Sequence, residues 1–502
     1  MNNKSCIEAK KKLSDLIARS GVAFGTSGAR GLVSAMTDEV CFAYTAGFLG
    51  YLQSIDLFHP GMSVALAGDL RPSSPRILQA CAAAIESVGG KPLFCGYIPS
   101  PAVAMLGLER KIPALMVTGS HIPDDRNGIK FNRPDGELLK TDEAGVLGQP
   151  VRVPENLFDD EGMLKQPVDL GTPVNAITPY IRRYVDFFEA DALAGLKVGV
   201  YQHSAVGRDV LVDVLELLGA QTLPLGRSEV FVPVDTEAIR PEDVQLAADW
   251  AKEQHFDAIV SLDGDSDRPL LADEAGQWLR GDILGILTAQ YLGAEVVVTP
   301  VSSNTALEKS GSFARVMRTR IGSPYVVSAM MQAIDEGAAR VCGFEANGGF
   351  LLATDFVHQN RTLAALPTRD ALLPILTVLM ASQHQRLPVS GLVAALPQRF
   401  SHSDRLKEFP TALTSARMAD FMPDNESAMA TFDAVFGTAT GARATSMDWT
   451  DGVRVVLSND EIVHLRPSGN APELRCYTEA ASRERAVALC SRIMTALENW
   501  RS

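Results

Sequence analysis

Ser120 and His121 stand side by side in the stretch PALMVTGSHIPDDRNGIKF (113–131), where an apolar run gives way to polar chemistry. Ala114–Val117 reads as a buried strand, and Gly119 frees the backbone just beyond it. The serine and histidine therefore fall at a strand's carboxyl end, where open α/β sheets collect ligands. Ser120 reads two ways: as a nucleophile, or as a turn-forming serine. His121 and Lys130 supply nearby donors, and the Asp-Asp-Arg-Asn-Gly turn can fold Lys130 back.

In FDAIVSLDGDSDRPLL (256–271) a buried strand runs directly into Asp263, Asp265 and Asp267, with Arg268 beside them. On an extended segment alternate residues point the same way. Three carboxylates so gathered repel one another unless a cation sits among them. Hard oxygen ligands at this spacing suit Mg²⁺; the competing reading is a solvated acidic turn. In RPSGNAPELRCY (466–477), Arg466 and Arg475 bracket Ser468, Gly469 and Asn470. Such a turn presents backbone N–H groups to an anion, and arginine forks match phosphate oxygens. A surface turn with two incidental arginines is the plainer alternative. In CGFEANGGFL (342–351), Glu345 and Asn347 can hydrogen-bond vicinal sugar hydroxyls, although taken alone the stretch reads more simply as a turn. In FGTSGARGL (24–32), Arg30 lies among glycines as a candidate oxyanion contact. No Gly-Lys-Ser/Thr follows it, so it is not a Walker P-loop.

These stretches need a scaffold, and the chain repeats one. MSVALAGDLRPSSPRILQACAAAIESVGGKPLFCG (62–96) reads strand, polar loop, helix, glycine, strand. LKVGVYQHSAVGRDVLVDVLELLGAQTLPLG (196–226) reads the same way, and a looser copy starts at AEVVVTPVSSNTALEKSG (294–311). Alternating buried strands and amphipathic helices signal a mainly parallel α/β sheet. The period is about a hundred residues, too long for a solenoid. Three similar α/β domains in series are expected. The polar, proline-bearing segment 148–167 reads as a loop or linker near the end of the first. From about residue 386 the composition changes, and short strands, an Asn-Asp turn and a final helix over 481–499 predict a smaller α+β domain.

The totals agree. At 502 residues, length alone suggests about three or four domains. A net charge of −14 with no basic block argues against nucleic acid and against an anionic membrane surface. An anionic substrate would then need positive charge concentrated in loops. Seven scattered cysteines without Cys-x-x-Cys spacing fit reduced thiols in a cytoplasm. The first twenty residues lack the apolar core of a signal peptide, and the longest apolar run, 371–381, is too short to span a bilayer.

Taken together and in order, the five stretches resemble the α-D-phosphohexomutase superfamily of phosphoglucomutases, phosphomannomutases and phosphoglucosamine mutases. The resemblance spans almost the whole chain. It implies four domains around a central cleft, expected over 1–172, 173–277, 278–398 and 399–502. It implies that Ser120 is the phosphorylated serine and that Asp263, Asp265 and Asp267, with the serine, bind Mg²⁺. Glu345 and Asn347 fall on its sugar loop, Arg466, Ser468, Gly469 and Asn470 on its phosphate loop, and Arg30, Lys130 and Arg268 near the transferred phosphoryl group. Lys130 is the candidate general acid/base and His121 the alternative. The implied reaction interconverts hexose 6-phosphate and hexose 1-phosphate through a hexose 1,6-bisphosphate, which also serves as activator. Mannose phosphates are the leading expectation, glucose phosphates or both sugars the alternative, and glucosamine phosphate a third. A monomer or homodimer is expected, with the C-terminal domain as the moving part. Five residues depart from the family pattern: Ile122 for Asn, Ser266 for Gly, Gly349 where some members carry His, and Asn470-Ala471 for Thr-Glu. Rival readings are an aspartyl-nucleophile phosphatase and a sugar-phosphate sensor without turnover.

Overall fold

A computed structural model describes residues 11–18, 20–25, 28–358, 360–422, 427–468 and 472–501. Four sheets form its frame. In the first, the strands run in the order Ala23–Phe24, Gly28–Leu32, Arg126–Arg133, Ala114–Val117, Ser63–Gly68, Lys91–Tyr97. Ser63–Gly68 pairs in parallel with both Lys91–Tyr97 and Ala114–Val117, whereas Arg126–Arg133 returns antiparallel. The second sheet has the order Gln221–Leu225, Lys197–Tyr201, Ala258–Leu262, Pro269–Ala272, parallel until the last strand turns back. The third repeats this with Arg315–Thr319, Val296–Pro300, Val341–Phe344 and Phe350–Leu352, and adds Leu366–Asp370.

The three repeats thus share one plan. Two parallel strands are joined by a crossover helix, a third parallel strand follows, and a hairpin reverses the chain. The sites singled out by sequence lie in that hairpin each time: 118–125, 263–268 and 345–349. Strands such as Ala114–Val117 and Ala258–Leu262 are buried throughout, as sheets covered by helices on both faces demand. A polar residue therefore meets the cleft only where such a strand ends.

The fourth sheet is antiparallel, in the order Phe400–Leu406, Leu474–Ala480, Ile462–Pro467, Val453–Leu457, Ala444–Asp448. Helices Ala428–Thr440 and Arg483–Glu498 pack against it around Phe432, Phe436, Leu489 and Ile493. This core stands apart. The first three units instead share a continuous apolar cluster that runs from Ala102 and Met116 through Val198 and Leu262 to Leu284, Phe344 and Leu376. The fourth unit meets the third through polar contacts: Asn304 Nδ2 donates to Arg399 O (2.9 Å), the Thr305 amide to Glu479 Oε2 (3.0 Å), and the Ile321 amide to Asp451 Oδ2 (3.0 Å). Polar contacts part at lower cost than a shared apolar core.

One buried clasp joins the second and third units. Asp370 accepts hydrogen bonds from Tyr180 Oη (2.8 Å) and Tyr184 Oη (2.5 Å). Burial pushes the Asp370 carboxyl above its usual range, and the two hydroxyls oppose that push. No helix among the described residues is long and apolar enough to cross a membrane. The six described cysteines are buried and unbridged.

Tyr184→Phe removes one donor from a buried carboxylate and is expected to cost about 1–3 kcal/mol. Urea unfolding at neutral pH checks this, and an unchanged midpoint would show that the clasp is not stabilising.

Candidate active site

Ser120 sits at the end of its strand with φ +57°, in the left-handed region. Such a position costs a non-glycine residue energy and needs outside support. Thr118 Oγ1 accepts from the Ser120 amide (2.7 Å) and donates to Asp69 Oδ2 (2.8 Å). Asp69 in turn pairs with Arg71 Nε at 3.0 Å. Arg71, only 1% exposed, then donates to the carbonyls of Ser120 (2.7 Å), Ile122 (2.5 Å), Pro123 (2.8 Å) and Arg126 (3.1 Å). Phe231 of the second unit covers the guanidinium at 4.0 Å. The loop is therefore braced through its backbone by one buried arginine, and the side chain at Ile122 carries none of that bracing. Sequence reading missed Arg71 because a lone Arg after a strand gives no sign that it will meet a loop fifty residues on.

Ser120 Oγ donates to Asp263 Oδ2 at 2.7 Å. The serine hydroxyl of the first unit and the carboxylate group of the second thus meet. Backbone contact is as close: a Cβ on Gly264 would lie 2.5 Å from Ser120 O. The three aspartates converge differently from the extended geometry expected. Residues 263–268 form a tight hairpin turn in which the Asp263 amide donates to Arg268 O, and Ser266 has φ +62°. Ser266 is supported in this left-handed position because its Oγ accepts from the Gly207 amide at 2.8 Å.

Each aspartate offers one oxygen to a group whose members all lie within 4.8 Å. Burial, reinforced by the charges of Asp265 and Asp267, pushes the Asp263 carboxyl up to about 8. Asp267 is buried too, which opposes its charge, yet Arg369, Lys130 and Arg268 hold it well below the carboxylate range. Lys130 Nζ lies 2.5 Å from both Asp265 Oδ2 and Asp267 Oδ2, and Ser100 Oγ donates to Asp265 Oδ2 at 2.5 Å. Asp265 Oδ1 and Asp267 Oδ1 are buried without a hydrogen-bond partner. Orphaned carboxylate oxygens in a buried like-charged cluster fit a hard divalent cation.

Cations ring this cage. Arg30 pairs opposite Gly128 in the sheet, and Lys130 lies two residues further along the same strand. Both side chains therefore leave one face. Burial and the charge of Arg268 bring Arg30 down to about 10, still cationic at neutral pH. Arg268 Nη1 donates to His121 Nδ1 at 2.9 Å, so that nitrogen accepts and the proton belongs on Nε2, 3.9 Å from Asp235. Burial, Arg268 and Arg30 hold the imidazole well below its usual range, so it is neutral. Its Nδ1 lies 3.3 Å from Ser120 Oγ but is already committed to Arg268.

From the third unit, Glu345 and Asn347 are both buried on their hairpin. Asn347 Oδ1 accepts from the Gly349 amide (2.9 Å), and Asn347 O from Thr236 Oγ1 (2.8 Å). Glu345 is tied to Arg369, a second residue that sequence reading missed. In the fourth unit Arg466 lies directly across from Arg475, and Arg475 across from Arg405, which sets a row of arginines on one sheet face. Arg466 Nε lies 2.9 Å from Asp451 Oδ2, and the Ser468 amide donates to Glu473 O (2.8 Å). Gly469 and Asn470 lie outside the described residues.

A loop serine against a buried three-carboxylate cage, with cationic loops from further units, defines a phosphoryl-transfer enzyme of the phosphohexomutase type. Four models of that family match in sequence: phosphoglucomutase/phosphomannomutase alpha/beta/alpha domains I, II and III at residues 21–149, 178–276 and 280–400, and the C-terminal domain at 421–496. The chain belongs to the phosphoglucomutase/phosphomannomutase family. More particularly, it is 44% identical to the phosphomannomutase of Salmonella muenchen, over 97% of each chain. It is 43% identical to the phosphomannomutase of Sinorhizobium fredii, over 92% of this chain and 95% of that one. A phosphoglucomutase/phosphomannomutase family protein from Burkholderia thailandensis shares the fold, with a TM-score of 0.70 at 17% identity, covering 95% of this chain and 97% of the other.

Gly264→Ala should push the Ser120 loop away from the cage and lower kcat by roughly tenfold to a hundredfold, the cost of misplacing a reacting group by about 1 Å. Steady-state kinetics alongside a thermal melt tests this; wild-type kcat would mean that the two loops need no such closeness.

Proposed function

We propose that the chain is a phosphohexomutase acting on mannose phosphates: it interconverts mannose 6-phosphate and mannose 1-phosphate by way of phospho-Ser120. The observation that carries this is the 2.7 Å contact between Ser120 Oγ and Asp263 in a cage with two orphaned oxygens. The likeness to two phosphomannomutases at 44% and 43% identity supports the sugar.

The free hydroxyl of the sugar attacks the seryl phosphorus, the bond from phosphorus to Ser120 Oγ breaks, and a hexose 1,6-bisphosphate forms. After the intermediate turns over, Ser120 attacks its other phosphate and the second monophosphate leaves. The same bisphosphate reprimes an enzyme that has lost its phosphate, and so acts as activator. Asp263, Asp265 and Asp267, with the seryl phosphate, would hold Mg²⁺, which supplies charge neutralisation to the moving group. Phosphoryl transfer passes through a loose transition state, so positioning and charge do most of the work. Arg30 and Arg268 meet the transferred group. Arg466, Arg475 and Ser468, with Gly469 and Asn470 of the same sequence motif, hold the non-reacting phosphate, whose binding energy orients the reacting end. Glu345 and Asn347 hold sugar hydroxyls. Lys130 serves as the general acid/base, because Arg268 already occupies the lone pair His121 would need. The separate core of the fourth unit suits it to open for the intermediate's turn and close for chemistry. The acidic chain and its buried free thiols support a cytoplasmic enzyme.

Mass spectrometry should locate a single phosphate on Ser120, and Ser120→Ala should cut turnover by more than about a thousandfold. Phosphate elsewhere would overturn the nucleophile. In parallel assays with Mg²⁺ and a bisphosphate, mannose 1-phosphate should outrun glucose 1-phosphate and glucosamine 1-phosphate; equal rates on mannose and glucose would make the enzyme a dual mutase. Lys130→Met should lower kcat by about 10²–10⁴-fold and His121→Gln by less than about tenfold; the opposite ranking would move the acid/base role to His121.

A further inference from the structure

Arg369 sits at the junction of the carboxylate cage and the Glu345 hairpin. It ends the strand Leu366–Asp370, next to the carboxylate that Tyr180 and Tyr184 clasp. Its backbone is thus fixed by the interface between the second and third units. The side chain is 4% exposed. Its Nε lies 3.0 Å from Asp267 Oδ2 in the carboxylate cage, and its Nη1 lies 3.1 Å from Glu345 Oε2 in the sugar loop. One rigid guanidinium plane therefore spans from a candidate metal ligand to a candidate sugar ligand.

The space for this bridge comes from Gly349. A Cβ there would lie 2.6 Å from Arg369 Cδ and 2.7 Å from Cγ, closer than real side chains approach. The arginine cannot swing aside, because both ends of its fork are paired. A larger side chain at position 349 and Arg369 as placed here exclude each other, so the glycine and the arginine are one feature.

We infer that Arg369 is a positioning residue that ties the sugar loop to the metal cage, and that Gly349 is small in order to admit it. The inference rests on the reading of Glu345 as a sugar ligand and of the three aspartates as a metal cage. It assigns Arg369 two separable effects. Toward Glu345 it holds the carboxylate in place for sugar hydroxyls, so losing it weakens sugar binding. Toward Asp267 it is a competing positive charge, so losing it leaves metal affinity unchanged or tighter. A merely structural arginine would, on removal, weaken both together.

The test is calorimetry on the full-length, dephosphorylated protein, which binds without turnover, titrated separately with mannose 6-phosphate and with Mg²⁺. Arg369→Met should weaken mannose 6-phosphate by about fivefold or more, in the range of ordinary coupling energies, with Mg²⁺ affinity equal to or above wild type. Arg369→Lys, which keeps the charge but not the fork, should show the sugar loss with wild-type Mg²⁺ affinity. Gly349→Ala should reproduce the sugar loss, and Gly349→Ala combined with Arg369→Met should be no worse than Arg369→Met alone. Sugar and metal affinities falling in parallel in both Arg369 variants, additive losses in the double variant, or unchanged sugar affinity would each overturn the inference. Wild-type protein that binds no hexose phosphate would overturn the functional reading itself, and this inference with it.

Discussion

Negative charge buried in one place governs this molecule. Asp263, Asp265 and Asp267 are withdrawn from water within 4.8 Å of one another, and desolvation makes each ionised carboxylate expensive. The surroundings answer with Lys130 on two of them, Arg268 and Arg369 beside them, and Arg30 behind. These cations come from three different units. The cage is therefore complete only when the units are assembled, which makes the electrostatics of the site and the docking of the domains one problem. The same balance gives a chain of net charge −14 a local concentration of buried cations. Positive charge is concentrated beside the carboxylate cage, where Lys130, Arg268 and Arg369 pair with its aspartates.

Repetition solves the geometric half. Each α/β unit reverses its sheet at one hairpin, and each hairpin delivers a different chemistry: a serine in the first, carboxylates in the second, a Glu and an Asn in the third. Loops at equivalent positions of related units converge when the units pack around a common axis. The continuous apolar core through these units keeps the convergence rigid, while the separate core of the fourth leaves its arginine row on a body joined by polar contacts. The serine, carboxylate and Glu-Asn hairpins thus sit on units that share one core, and the arginine row sits on a unit with its own.

The departures from the family pattern make sense once neighbours are known. Ser266 tolerates a left-handed backbone because its hydroxyl takes up the Gly207 amide. The side chain of Ile122 does no bracing, because Arg71 holds the carbonyls of Ile122 and Pro123. Gly349 gives its space to Arg369. In each case a residue that reads as a loss in the linear sequence is balanced by a partner distant along the chain.

The sequence alone determined the fold class, the three repeated units with a smaller fourth, and the polar stretches at their strand ends, because periodicity and short motifs are local and survive in a linear string. It marked Ser120, the Asp trio, Glu345 and Arg466, since strand ends announce themselves by a change from apolar to polar. It misjudged how the aspartates converge, expecting an extended segment where a hairpin turn forms. It gave no sign of Arg71, Ser100 or Arg369, which follow no motif and matter only through what they touch. Which nitrogen of His121 carries the proton, and which cation faces which carboxylate, were likewise decided by tertiary structure. Charge balance and shared burial depend on distances between residues that the chain keeps far apart, and only folding sets those distances.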